Sequence, residues 1–129
     1  MVRPKLPYPT PAELEVLQIL WDHGPLTVRE VMGHQQGDRG YTTVMSLLQV
    51  MYEKGLLSRK AEGRAFRYSA KAQREKTLRR IIGDLLGRAF SGSSSALVVQ
   101  LLEQAHPDEK ELSAIRAAIE AYEQNKEGQ

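Results

Sequence analysis

Within the nine residues from Arg59 to Arg67 the chain places four cations, Arg59, Lys60, Arg64 and Arg67, around a glycine, Gly63. Clustered charges of this kind neutralise phosphates, and binding that depends on them weakens as salt rises. Just upstream stand Thr42, Thr43, Ser46 and Gln49, polar side chains at helical spacing. Hydroxyls donate to phosphates or base edges, and a glutamine amide pairs bidentately with adenine. Met45 and the threonine methyls match the methyl group of thymine. The chemistry on offer is recognition of a polyanion, not covalent catalysis. No nucleophile–base–acid set and no Gly-rich phosphate loop is visible. His23, His34 and His106 lie far apart in sequence and cysteine is absent, so no metal centre, disulfide framework or cofactor is expected.

The elements that position these residues are written in the same stretch. Val44, Leu47, Leu48 and Met51 recur at i, i+3, i+4 and i+7, the buried stripe of an amphipathic helix whose opposite face is polar. Thr42 stands near its N-cap, and Gly55 stops it, since a residue without Cβ suits the left-handed position after a helix. Residues 57–60 and 65–68 then alternate around a tip at 61–64, a β-hairpin with Gly63 at its bend and with Phe66 and Tyr68 packing inward. Upstream, Thr10-Pro11-Ala12-Glu13 reads as N-cap, N1 proline and N3 glutamate of a capping box. That helix runs to about Asp22 and buries Leu14, Leu17 and Trp21, with Leu20 beside them. Thr27 and Glu30 make a second box, opening a short helix to about Met32, and a polar loop at 35–40 follows. Its N-terminus either offers N–H groups to a phosphate or serves stability alone. Three helices and a hairpin form a winged helix-turn-helix, whose third helix enters the major groove.

Downstream, residues 70–90 form a long helical pattern with Leu78, Ile81, Ile82 and Leu85 on one side, too apolar for a helix beside so small a core. The serines at 91–95 break it and cap the next helix; a phosphorylation site is the other use of such a cluster. Residues 96–104 are apolar on every side, with Leu97, Val98, Leu101 and Leu102, and are expected to be buried all round. Asp108 and Glu111 offer a third capping box to a last helix carrying Leu112, Ile115, Ile119 and Tyr122, fraying from Asn125. The expected fold is mostly α: a winged helix-turn-helix domain over residues 1–70, then a helical dimerisation domain over 71–129.

Charge is unevenly placed as well, though its divide falls later, near residue 90. Residues 1–90 hold 15 Lys/Arg against 9 Asp/Glu, and residues 91–129 hold 3 against 7, so a basic front meets an acidic rear. The start of the chain, with Arg3, Lys5 and three prolines by residue 9, is expected to be extended: either a basic arm along a DNA groove or a plain tail. It has no apolar core of a secretory signal, and no run reaches the roughly 18–20 apolar residues of a membrane span, so a cytoplasmic protein is expected.

Three stretches together are distinctive: PTPAELEVLQILWDHGPLTVREV at 9–31, GYTTVMSLLQVMYEKGLLSRKAEGRAFRYSA at 40–70, and the helical tail. With Trp21, Thr42-Thr43-Val44, the KGLL at 54–57 and the GRAFRY at 63–68 in this order, the chain resembles the penicillinase-repressor (BlaI/MecI-type) transcriptional regulators of bacteria. The resemblance implies a homodimeric repressor binding an inverted-repeat operator, with Thr42, Thr43, Ser46 and Gln49 facing the groove and the wing arginines on the backbone. It also implies derepression through a membrane sensor protease that cuts the penultimate helix. The chain departs from that pattern in two places. Val50 stands where many relatives carry a basic residue, and ALVVQLLEQ at 96–104 lacks the Asn-Phe of a known cleavage sequence. The Cys-rich metal-binding tail of copper-sensing relatives is absent. The other reading of the same outline is a winged helix used only for protein–protein contact.

Overall fold

Thr10 and Glu13 close the first capping box: the Thr10 N–H donates to Glu13 Oε1 at 2.9 Å, and the Glu13 N–H to Thr10 Oγ1 at 3.2 Å. The structure, a computed structural model, describes residues 9–128. Arg3 and Lys5, in the start expected to be a basic arm or a plain tail, lie outside the described residues. Among those described, the order is α1 (Pro11–His23), β1 (Leu26–Thr27), α2 (Val28–His34), α3 (Tyr41–Glu53), β2 (Leu57–Glu62), β3 (Ala65–Ala70), α4 (Arg74–Ala89), α5 (Ser94–Ala105) and α6 (Glu109–Glu127). Two compact units divide inside α4, between Asp84 and Leu85.

The first unit is a winged helix-turn-helix. Its core joins Val16, Leu17, Ile19 and Leu20 of α1 to Val28 and Val31 of α2, Val44, Leu48 and Met51 of α3, and Leu26, Leu57 and Tyr68 of the sheet. Each such side chain contributes about 1.5–3 kcal/mol on full burial, so α3 is held chiefly by three of them. The sheet order is β1-β3-β2, antiparallel throughout, with Leu26 opposite Tyr68 and Arg59 opposite the same residue on the other side. The hairpin is longer than expected, with strands running to Glu62 and from Ala65 and only Gly63 and Arg64 between them. Gly63 takes φ +62° at that bend and Gly55 takes φ +83° after α3, conformations that cost other residues about 1–2 kcal/mol.

Three local expectations are corrected here. Leu14 is half-buried rather than buried, because α1 is turned to sink Glu13, only 3% exposed, toward the far end of α3. There Lys54 Nζ meets Glu13 Oε2 at 2.8 Å. Trp21 lies at the rim of the core, and its indole N–H donates to Ala72 O at 2.9 Å, pinning the segment that leaves β3. The downstream helix begins at Arg74, since Ser69 and Ala70 still pair with Ser58 and Leu57. His23 and His34, distant in sequence, are brought together, with ring centroids 3.8 Å apart. Among the described residues no group of three His, Cys, Asp or Glu side chains is placed to hold a metal.

Glu13 makes the first unit pH-sensitive in a definite direction. Burial alone pushes its pKa up, but the hydrogen bond from Lys54, the Thr10 backbone N–H and the Lys54 charge outweigh this and leave it below the ordinary 4.5. A carboxylate with a lowered folded pKa adds stability above its unfolded value, and that share is lost as pH falls through the folded value. In urea unfolding, Glu13→Gln should therefore cost stability at neutral pH, and the gap from wild type should shrink below about pH 4. An equal gap at both pH values would exclude ionisation as its source.

In the second unit Ser93 caps α5 by accepting the Ala96 N–H at 3.2 Å, and Asp108 caps α6 by accepting the Glu111 N–H at 2.9 Å. Asp108 does so without the reciprocal bond of a capping box, and α6 stays helical to Glu127 instead of fraying from Asn125. The larger correction concerns α5. Its apolar sides predict burial all round, yet within one chain it buries no residue, and Val98, Val99 and Leu101 are exposed. Among the described residues no single helix is long and apolar enough to cross a membrane.

Candidate nucleic-acid interface

Because Val44, Leu48 and Met51 face the core, the helical period turns the other side of α3 outward. Thr42, Thr43, Met45, Ser46, Gln49 and Val50 are all exposed there. Thr42 is not the N-cap: that position is Gly40, which has no side chain, so the first turn of α3 receives no side-chain cap and the Thr42 hydroxyl is not engaged in one. The polar residues expected to face a groove thus share a single open surface, preceded by the turn at 35–40 that joins α2 to α3.

The four wing cations do not share one. Side chains alternate along a strand, and the register sends Arg59 to the inner face of the sheet and Lys60 with Arg67 to the outer face. Arg64 stands at the tip. Arg67 is committed: its guanidinium contacts Glu62 Oε2 at 2.8 Å and Glu30 Oε1 at 3.1 Å, and it donates to Pro25 O at 3.0 Å. The hydrogen bond to Glu62 heads the causes that raise its pKa, so it is a permanently charged brace between wing and α2. Glu30 is correspondingly acidic, held down first by the Thr27 backbone N–H of its capping box and further by Arg67. Lys60 and Arg64 are the exposed cations of the hairpin.

Arg59 is held differently. Its guanidinium lies 4.0 Å from the ring centroid of Tyr52 on α3 and 4.1 Å from that of Phe66 on β3. Nη1 also donates to Gln49 Oε1 at 3.1 Å, and Gln49 Nε2 donates to Glu53 Oε1 at 3.2 Å. Phe66 was expected inward with Tyr68. It does share that face of the sheet, but the wing reaches beyond the helices, so Tyr68 is 2% exposed and Phe66 41%. Tyr52 and Glu53 were not singled out from sequence, and Phe66 was expected only as an inward-packing residue of the wing. The signal that finds them is joint: hairpin alternation sets Arg59 and Phe66 on one face, and Tyr52 follows Gln49 by one helical turn.

A front of this kind, an open α3 face beside a cationic wing, can be compared with known proteins. Residues 9–121 match the family described as Penicillinase repressor. The chain belongs to that family. Its members are transcriptional repressors, not enzymes. The transcriptional regulator BlaI of Mycobacterium tuberculosis is 34% identical over 117 residues, which cover 86% of this chain and 82% of that protein. The penicillinase repressor of Bacillus licheniformis is 24% identical over 124 residues, covering 95% of this chain and 97% of the relative. A MarR family protein from Bacillus stearothermophilus has a TM-score of 0.50 at 22% identity over 94% of this chain and 76% of its own, a likeness of fold alone.

The residues expected to assemble the penicillinase-repressor chain into dimers divide by exposure. Ile82, Leu85, Val98, Leu101, Ile119 and Tyr122 are exposed within one chain, and Val99 joins them although it was not singled out. Leu78, Ile81, Leu97, Leu102, Leu112 and Ile115 are half-buried.

Proposed function

We propose that this chain is a dimeric, sequence-specific DNA-binding transcriptional repressor that occupies an inverted-repeat operator and excludes polymerase. The observation that carries the reading is the α3 face, where Thr42, Thr43, Met45, Ser46 and Gln49 are exposed together beside Lys60 and Arg64. In a winged helix-turn-helix such a face enters the major groove while the wing follows the backbone. Family membership supports the same reading. Residues 1–70 would read DNA in the cytoplasm, and 71–129 would assemble the two-fold partner whose symmetry matches paired half-sites. Derepression by a membrane sensor protease cutting the C-terminal region follows from the family resemblance, and such a cut would separate the assembly helices from the DNA-reading unit.

Selection of bound sites from random DNA tests function and symmetry together: two related half-sites are expected, and enrichment of no sequence would overturn the reading. A paired substitution then separates base reading from backbone grip. Thr43→Ala should reduce discrimination between the selected operator and random DNA by about 1–3 kcal/mol. Arg64→Ala should weaken both about equally and lower the slope of log K against log[salt] by about 0.9, one phosphate. The second reading, a protein-docking winged helix, rests on the apolar Val50, 43% exposed on the same face. That module would bind DNA weakly, without the steep salt dependence.

A further inference from the structure

We infer that Arg59 is a positioning residue for base recognition: it does not grip a phosphate but fixes the Gln49 amide in the orientation an adenine requires. This rests on the DNA-reading function proposed above and assigns its specificity to a particular device.

The device has three parts. Arg59 leaves the inner face of β2 and enters a slot between one aromatic ring of α3, Tyr52, and one of the wing, Phe66, at 4.0 and 4.1 Å from the centroids. The planar guanidinium thus meets two rings at cation–π distance, an arrangement a lysine ammonium on a flexible stem does not reproduce. One N–H is spent on Gln49 Oε1 at 3.1 Å. On the other side of the amide, Gln49 Nε2 is spent on Glu53 Oε1, one turn along α3, at 3.2 Å.

A primary amide carries two acceptor lone pairs and two N–H donors. Arg59 and Glu53 take one of each. What remains is one lone pair and one N–H on neighbouring atoms, the acceptor–donor pair that adenine demands with its N6 amino group and N7. The same two contacts fix which amide atom stands on which side, since a flipped amide would turn its NH2 toward Arg59 and its oxygen toward Glu53. Both mismatches are repulsive. Gln49 is thus ordered before DNA arrives, and ordering in advance removes part of the cost of binding. The charges of Arg59 and Glu53 oppose each other across Gln49. Lys60 and Arg64 are left as the wing's exposed cations.

Arg59→Lys tests the inference, because it keeps the charge and loses the flat stack. In the free protein, NMR relaxation of the Gln49 side-chain NH2 should report an ordered amide in wild type and an averaged one in Arg59→Lys. Phe66→Leu, which removes one wall of the slot at an exposed site, should loosen it as well. On DNA, site selection and competition should show the adenine preference at one position per half-site falling about fivefold or more in Arg59→Lys, as in Gln49→Ala. The double variant should lose no more, and Arg59→Gln, which removes the charge, should leave the salt slope unchanged. A mobile Gln49 amide in wild type overturns the inference whatever the DNA results. So does an Arg59→Lys protein that keeps its adenine preference, or an Arg59→Gln protein, its charge removed, whose salt slope falls by about 0.9, the mark of a phosphate contact. If wild type selects no sequence while its amide is ordered, the DNA-reading function itself has failed and takes this role with it.

Discussion

Leu48→Ala is expected to lower the free energy of unfolding by about 2–5 kcal/mol, the usual cost of removing a buried leucine side chain and leaving a cavity. Leu48 is fully buried, one of three α3 residues that fix the helix to the core beside Met51 and Val44. Where total stability is roughly 5–15 kcal/mol, such a loss is a large share of it. For a unit of this size it corresponds to a fall in Tm on the order of 10 °C or more. Two positions further on, Val50→Ala removes a side chain 43% exposed and should change stability by no more than about 0.5 kcal/mol. Urea melts with unchanged m-values are the measurement. Similar losses at the two positions would mean that α3 does not sit on the core by the Val44–Leu48–Met51 stripe.

The contrast between Leu48 and Val50 was legible in the sequence, because a 3.6-residue period assigns faces without reference to anything distant. The capping boxes at Thr10 and Thr27 and the stop at Gly55 were legible for the same reason: each is settled by residues within one turn. What failed to show depends on partners far along the chain. The α1 stripe is rotated because Glu13 reaches Lys54, 41 positions away. Strand β1 has two residues, too few for alternation, and its Thr27 also serves as the N-cap of α2. The hairpin pairs Glu62 with Ala65 where a four-residue tip would pair Lys60 with Ala65. That shift of two residues preserves faces, so the inward side of Leu57 and Tyr68 survived. The opposite residue at each position did not.

The candidate site shows the limit most clearly. Residue type alone proposed its members, but how each side chain is held could not be read from it. Arg59, Lys60, Arg64 and Arg67 look equivalent in composition, yet two of their four surroundings are set by tertiary contacts and a third by strand register. Arg67 is held by Glu30 and Glu62, Arg59 by Tyr52, Phe66 and Gln49, and Lys60 by its outward place on β2. A cluster of four like cations therefore divides into two exposed ones, one brace and one, Arg59, held against two rings and the Gln49 amide. For a protein whose α3 face has no cation, two wing charges per chain supply little grip unless two chains bind at once.

Leu101→Asp is accordingly expected to have the largest effect on operator binding of any single exposed substitution. Leu101 is 54% exposed on α5, in line with the apolar character of Val98 and Val99, and it lies outside the core, whose members run from Val16 to Tyr68. Burying a carboxylate in an apolar interface without a partner costs several kcal/mol, enough to separate a dimer held by such helices. Two linked half-site contacts gain on the order of 10²–10⁴-fold over one, so operator affinity should fall by about that factor. The protein should sediment as a monomer. The thermal transition of the winged unit should survive, because none of its core residues is altered, and weak binding to random DNA should persist with its salt dependence. A Leu101→Asp protein that still sediments as a dimer would place the assembly surface elsewhere. One that becomes monomeric without losing operator affinity would show that a single winged unit suffices, and that paired half-sites are not what the repressor reads.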